Sequence, residues 1–343
     1  MKSTVIIFCL ALVFACTNRS NGPDVSGIKV EMTVERFDRD FFSMDTFSIE
    51  KSILDLYVKY PSLMPIFLYN ILGLDSSTQY QGLPRFARQS RFLYDSAARV
   101  FENFDDVKKE FEQAFRYVKY YFPNYQIPKL ITIVGPIDAL AITASGEPTP
   151  VFIGPDFIGI NLQFYLGKNF SLYRNGFFIA NVAPEFRSRR FEKKYIAADA
   201  MKLVADDIYP DKSSGKGLVE QMIEKGKQWW LLDKFLPAAP DSIKTGYTQQ
   251  QLDWCSANEG MIWSAILSNE KDIFTREQAT IQNYIGEAPF TQTLSPASPG
   301  NIGQWIGWQI VKKFAEKNSS LRIDEVMKTE PKKILDEAKY KPK

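Results

Sequence analysis

The spacing of hydrophobic positions changes period twice along this chain. Over 28–37, Ile28, Val30, Met32 and Val34 alternate with polar neighbours, which predicts a half-buried strand. A helical pattern follows over 38–125. One helix is predicted over 48–60, and Pro61-Ser62-Leu63-Met64-Pro65 opens a second that runs apolar through Ile71 and Leu72 and stops at Gly73. The clearest helix covers 104–122, where Phe104, Val107, Phe111, Phe115, Val118 and Phe122 recur at steps of three or four. Asp105, Lys108, Lys109, Glu112, Arg116 and Lys119 take the other side, so the aromatic stripe reads as core and not as a ligand site.

Over 128–167 the texture becomes short β-branched runs punctuated by Gly and Pro. Leu130-Ile131-Thr132-Ile133, Ala139 to Thr143, Val151-Phe152-Ile153 and Ile158-Gly159-Ile160 predict a small central sheet. Helical periodicity returns over 190–343, with helices expected at 194–208, 217–236, 249–267, 301–314 and 331–338. Thr248 with Gln251 fits a capping box, and Ser298-Pro299 fits an N-cap followed by proline at the first helical position. The order helices, sheet, helices predicts an α+β fold: a mainly helical single body around a small mixed sheet.

The N-terminus carries a different signal. Met1-Lys2-Ser3 is short and basic, Thr4 to Ala15 is apolar, and a polar stretch follows, as in an export signal. The apolar run is shorter than the about 20 residues needed to span a bilayer. It ends Leu12-Val13-Phe14-Ala15-Cys16, which resembles a bacterial lipobox with Cys16 as the lipidated residue. The expected layout is a signal peptide at 1–15, a lipidated tether at 16–27 and one α+β domain at 28–343. Cleavage discards Cys9 and leaves Cys255 as the free thiol, so burial and not a disulfide must hold the body together. Acyl chains on Cys16 would hold the protein on a membrane without crossing it.

Composition then removes whole classes of chemistry. The chain has no histidine, which excludes Ser-His-Asp and Cys-His triads and every zinc site built on imidazole. With 42 Lys+Arg against 40 Asp+Glu there is no reason to expect nucleic acid as a partner. Ser213-Ser214-Gly215-Lys216-Gly217 lacks the first glycine of a Walker loop and reads as the turn into a helix. Gly303 and Gly307 lie four apart on one helical face and suit close helix packing better than a nucleotide fingerprint. The adjacent pairs Asp105-Asp106 and Asp206-Asp207 diverge on a helix and form no catalytic couple. No metal ligand set and no cofactor is expected.

Two helical segments are harder to read as packing alone. Met222-Ile223-Glu224-Lys225-Gly226-Lys227-Gln228-Trp229-Trp230 places a glycine in mid-helix, at about 1 kcal/mol in propensity. Trp254-Cys255-Ser256-Ala257-Asn258-Glu259-Gly260-Met261-Ile262-Trp263 sets polar residues between tryptophans. Amphipathic packing with snorkelling aromatics is one account. The other is a cleft lined by Glu224, Lys227, Asn258 and Glu259.

Taken as a set, these segments resemble the gliding motility lipoprotein GldB family of Bacteroidetes. The set comprises the lipobox, Gly226-Lys227-Gln228-Trp229-Trp230, the run from Gln250 to Trp263, the helix Asn301-Ile302-Gly303-Gln304-Trp305-Ile306-Gly307-Trp308, and the closing Tyr340-Lys341-Pro342. That family looks distantly similar to zincin-type metallopeptidases, with the helix at 197–202 standing where a zinc helix would and Glu224 a suitable distance beyond it. The two histidines are missing. The resemblance therefore implies a degenerate peptidase-like scaffold without catalytic residues in the cell envelope. Thr17 stands after the anchor residue where an aspartate would suggest retention at the inner membrane, and Thr17-Asn18-Arg19-Ser20 lacks the acidic cluster of a surface-export signal, so the expected anchor is at the outer membrane, facing the periplasm. It implies as partners other gliding or secretion lipoproteins and envelope proteins. An envelope hydrolase using carboxylates without histidine is the alternative expectation.

Overall fold

A computed structural model describes residues 22–143, 146–269 and 273–342. Cys16, and with it the expected signal and anchor, lies outside the described residues.

The sheet is built from the segments with the highest β-branched content. β1 (Val34–Glu35), β2 (Lys129–Ile133), β5 (Val151–Ile153) and β6 (Phe157–Asn161) form one mixed sheet in the order β1-β2-β6-β5, and β3 (Ala141–Ile142) and β4 (Pro148–Thr149) pair separately. β2 and β6 run parallel with Leu130 opposite Ile158 and Thr132 opposite Ile160, while β5 returns antiparallel to β6. Leu130, Ile131, Ile133, Ile158 and Ile160 are all buried, as expected of strands covered on both faces, whose sequence is a continuous apolar run.

The first helical block comprises α1 (Phe37–Phe42), α2 (Ile49–Lys59), a π-type turn at Ile66–Ile71, α3 (Gln79–Gln89), α4 (Arg91–Val100) and α5 (Asp105–Tyr121). Val107, Phe111, Phe115 and Val118 on α5 point into the core as the stripe predicts. The second block holds α6 (Gly176–Asn181), α7 (Glu185–Ser188), α8 (Ile196–Ile208), α9 (Leu218–Phe235), α10 (Asp241–Thr245), α11 (Gln249–Ala257) and α12 (Glu259–Asn269). It continues through α13 (Gln278–Ile285), α14 (Ile302–Lys317), α15 (Ile323–Lys328) and α16 (Pro331–Ala338). One core cluster runs through the sheet and both blocks, so the protein is a single α+β body. No helix among the described residues is long and apolar enough to cross a membrane.

α9 is the central helix, buried on nearly all sides, and packs against α5, α8, α14 and α16. Its mid-helix glycine has a plain cause. A Cβ on Gly226 would lie 2.2 Å from the Gly307 carbonyl carbon, and a Cβ on Gly307 would lie 1.7 Å from the Met222 carbonyl oxygen. The two helices touch backbone to backbone, which only glycine permits. Cys255 is buried on α11, and burial pushes its thiol up to about 12.

Three local expectations are corrected. Of the strand expected over 28–37, only Val34 and Glu35 pair with β2; Val30 and Met32 are buried outside the ladder, and the Met32 amide donates to Glu112 Oε1 at 3.2 Å. The helix expected over 249–267 is interrupted at Asn258, where the backbone turns to φ −119° and ψ 16°; the Trp254 carbonyl accepts both the Asn258 side-chain amide at 2.8 Å and its backbone N–H at 3.1 Å. Ser298 caps no helix: its hydroxyl accepts from the Thr291 amide at 3.2 Å, and α14 starts after Asn301, which adopts φ 46°. The Thr248–Gln251 capping box forms in both directions, at 3.0 and 3.1 Å.

Candidate functional site

α9 places Glu224 and Lys227 on one face, three residues apart, and both are buried. Lys227 Nζ lies 3.1 Å from Glu224 Oε2 and donates to the Thr329 carbonyl at 2.7 Å. Lys216 Nζ approaches the other carboxylate oxygen at 3.2 Å and also reaches Glu330 at 3.4 Å. Glu224 is thus held between two ammonium groups and ties α9 to the turn between α15 and α16. Burial pushes the Lys227 ammonium below its ordinary value, with Glu224 acting in the opposite direction. Burial also acts downward on Lys216, but its bonds to Glu224 and Glu330 outweigh it and raise that group. A carboxylate with both oxygens engaged in this way is a structural clamp, poorly placed to take a proton from a substrate.

Asn258 and Glu259 meet other partners. Asn258 closes α11, and Glu259 opens α12 and accepts from the Tyr340 hydroxyl at 2.5 Å. The Tyr340 ring also meets Trp263 edge-on, with centroids 5.4 Å apart, so this pair holds the C-terminal segment against α12. The structure brings Glu224 together with Lys227, and it places Asn258 and Glu259 in a separate cluster. None of the four lines the two cavities described next.

Those cavities open one turn further along α9. The larger, about 460 Å³, is lined by Tyr121, Trp230, Asp233, Lys234, Lys312 and Ser319 among others; a second of about 300 Å³ shares Tyr121, Asp233, Lys234 and Lys312 and adds Gly22, Pro237, Asp241 and Lys244. Asp233 is spoken for, because Lys244 Nζ lies 2.5 Å from Oδ1 and Trp308 Nε1 donates to Oδ2 at 2.8 Å. Lys244 also pairs with Asp241 at 2.8 Å. Lys234 Nζ sits 4.8 Å from the centroid of Trp230, and Lys312 Nζ sits 3.2 Å from that of Trp308. Neither of these two lysines has a carboxylate within ion-pair distance among the described residues. Burial pushes both ammonium groups down, and it pushes the Tyr121 phenol up to about 12, so that hydroxyl keeps its proton.

Sequence reasoning picked out the Trp229-Trp230 segment and missed this lysine pair. The signal is nevertheless local on each helix: Trp230 precedes Lys234 by four and Trp308 precedes Lys312 by four, the spacing that puts an ammonium over a ring. Only the packing of α9 against α14 brings the two pairs together.

α8 contains residues 197–202, the segment compared with a zinc helix in the sequence. Its Asp199 accepts from the Tyr165 hydroxyl at 3.0 Å and pairs with Lys202 at 3.2 Å. With no histidine in the chain, these residues do not fit a zinc site.

A family model described as gliding motility protein GldB matches residues 18–342. Neither a curated protein nor a solved structure gives a match.

Proposed function

The chain belongs to the gliding motility protein GldB family, and from that membership we propose that it serves the gliding machinery as a non-catalytic lipoprotein, anchored through Cys16 at the outer membrane and facing the periplasm. The observation that carries the proposal is the extent of the family match, over 18–342. The non-catalytic part is supported by Glu224, whose oxygens are divided between Lys216 and Lys227, and by Glu259, which is bonded to Tyr340. A histidine-free body whose best-placed carboxylates are structural suits holding partner proteins better than turning over a substrate. Descent from a metallopeptidase is part of the same proposal; its support is α8 followed by α9 bearing Glu224, in the chain order the resemblance implies.

The test uses full-length protein extracted gently from its own membrane after cross-linking, with elemental analysis and mass spectrometry of one sample. The expected result is an acylated Cys16 peptide, no stoichiometric zinc, and other envelope lipoproteins or motility components cross-linked to the chain. Zinc at one atom per chain would overturn the non-catalytic reading, and an unmodified Cys16 would overturn the anchor.

A further inference from the structure

The twin cavity beside α9 and α14 combines three features that packing does not require. Two ammonium groups, those of Lys234 and Lys312, face it without a carboxylate partner. The acids on the lining, Asp233, Asp241 and Glu316, each have another lysine at ion-pair distance, Lys244 for the first two and Lys313 for the third, which leaves Lys234 and Lys312 as the cations of the lining without an ion pair among the described residues. Tyr121 and Ser319 lie on the same lining, together with the apolar Leu321 and Val326.

The position of the cavity adds a fourth observation. Gly22 lines its smaller chamber and packs against Pro237 and Tyr117. Five residues lie between Cys16 and Gly22, and the six steps of chain reach at most about 22 Å when extended. An acyl anchor on Cys16 therefore keeps this face near the membrane surface, where phosphate-bearing headgroups are concentrated; this step rests on the lipoprotein reading above.

We propose that this cavity binds a phosphate group, with Lys234 and Lys312 as its paired cationic donors, Tyr121 and Ser319 as hydroxyl donors, and the apolar wall receiving the carbon skeleton next to the phosphate. Lysine serves phosphate as a point charge that needs no fixed fork geometry, and two of them match a multiply charged oxyanion. The same chemistry accepts an anionic lipid headgroup or a free phosphate. Binding would give a phosphate partner to two half-buried ammonium groups that lie against indole faces, and would tie the body down close to its anchor.

The experiment titrates the full-length, lipidated chain in non-ionic detergent with dihexanoyl phosphatidylglycerol, with inorganic phosphate, and with uncharged dihexanoylglycerol. The expected result is saturable binding of the phosphatidylglycerol and none of the uncharged lipid. Affinity should fall at least about tenfold in the Lys234→Gln/Lys312→Gln variant, since charge-assisted bonds are lost. The melting temperature should stay unchanged, and Lys312→Arg should retain binding. Lysine-dependent binding of inorganic phosphate alone would support the site and assign it a soluble ligand. Absence of binding by either phosphate compound, or equal binding by the double Gln variant, would overturn the proposal. Mass spectrometry of the Cys16 peptide from the same sample separates the two readings: an unacylated cysteine with intact lysine-dependent binding removes the anchor and leaves the site.

Discussion

Gly307→Ala is expected to destabilise the protein by about 3 kcal/mol, at the upper end of the overpacking range. The added methyl would sit 1.7 Å from the Met222 carbonyl oxygen, a backbone atom in the middle of α9 that cannot turn aside. Alanine is the better helix former by about 1 kcal/mol, so the clash must exceed that gain before any loss is seen. For a body of this size the melting temperature should fall by roughly 4–5 °C. Gly226→Ala meets the same contact from the other side, where a Cβ would lie 2.2 Å from the Gly307 carbonyl carbon. The double variant should therefore lose less than the sum of the two, because both substitutions force one pair of helices apart. Thermal unfolding followed by circular dichroism checks this. Wild-type or higher stability in Gly307→Ala would mean that α9 and α14 stand further apart than described.

Asp38→Ala should cost about 3–5 kcal/mol, the range found when one partner of a buried ion pair is removed. Asp38 is fully buried at the start of α1, where it accepts from Arg36 Nε and Nη2 at 2.9 and 2.8 Å and from the Thr132 hydroxyl at 2.5 Å. Arg36 also donates to the Phe101 carbonyl at 2.8 Å, so the cluster joins β1, β2 and the end of α4. Truncating the acid leaves a largely buried guanidinium and a buried hydroxyl without their acceptor. Replacing both charges, as Arg36→Met with Asp38→Leu, should cost clearly less than the single change. Denaturant titration of the set measures the difference, and a double variant worse than Asp38→Ala would show that the pair itself, and not the stranded cation, carries the stability.

What could be read from the chain follows from how local each signal is. α5 announces itself because one residue in three or four is apolar over five turns, and β2 and β6 because strands buried on both faces have no polar alternation to obscure them. The close approach of α9 and α14 was partly legible, since Gly303 and Gly307 share a face and Gly226 interrupts a good helix for no local reason. That Gly226 meets Gly307 is a tertiary fact. The break at Asn258 depends on the backbone angles of one residue, and the start of α14 on a loop pinned by Tyr247, whose hydroxyl donates to the Gly300 carbonyl at 2.9 Å. Neither choice changes the hydrophobic period. The expected grouping of Glu224, Lys227, Asn258 and Glu259 rested on shared texture between two segments, and texture does not say which helix faces which. The lysine pair shows the same limit from the other direction: each Trp-to-Lys step is visible in its own helix, and their convergence is not.

The proposed role as a lipid-anchored and non-catalytic component of the gliding machinery can be put to a genetic test by complementation. In a strain lacking the gene, the wild-type chain, a Glu224→Gln/Glu259→Gln variant and a Cys16→Ala variant are each restored at equal abundance, and colony spreading is scored. The wild-type chain and the double Gln variant should restore spreading, and Cys16→Ala should not. A double Gln variant that accumulates normally yet leaves cells immobile would contradict the non-catalytic claim, and full spreading with Cys16→Ala would contradict the anchor.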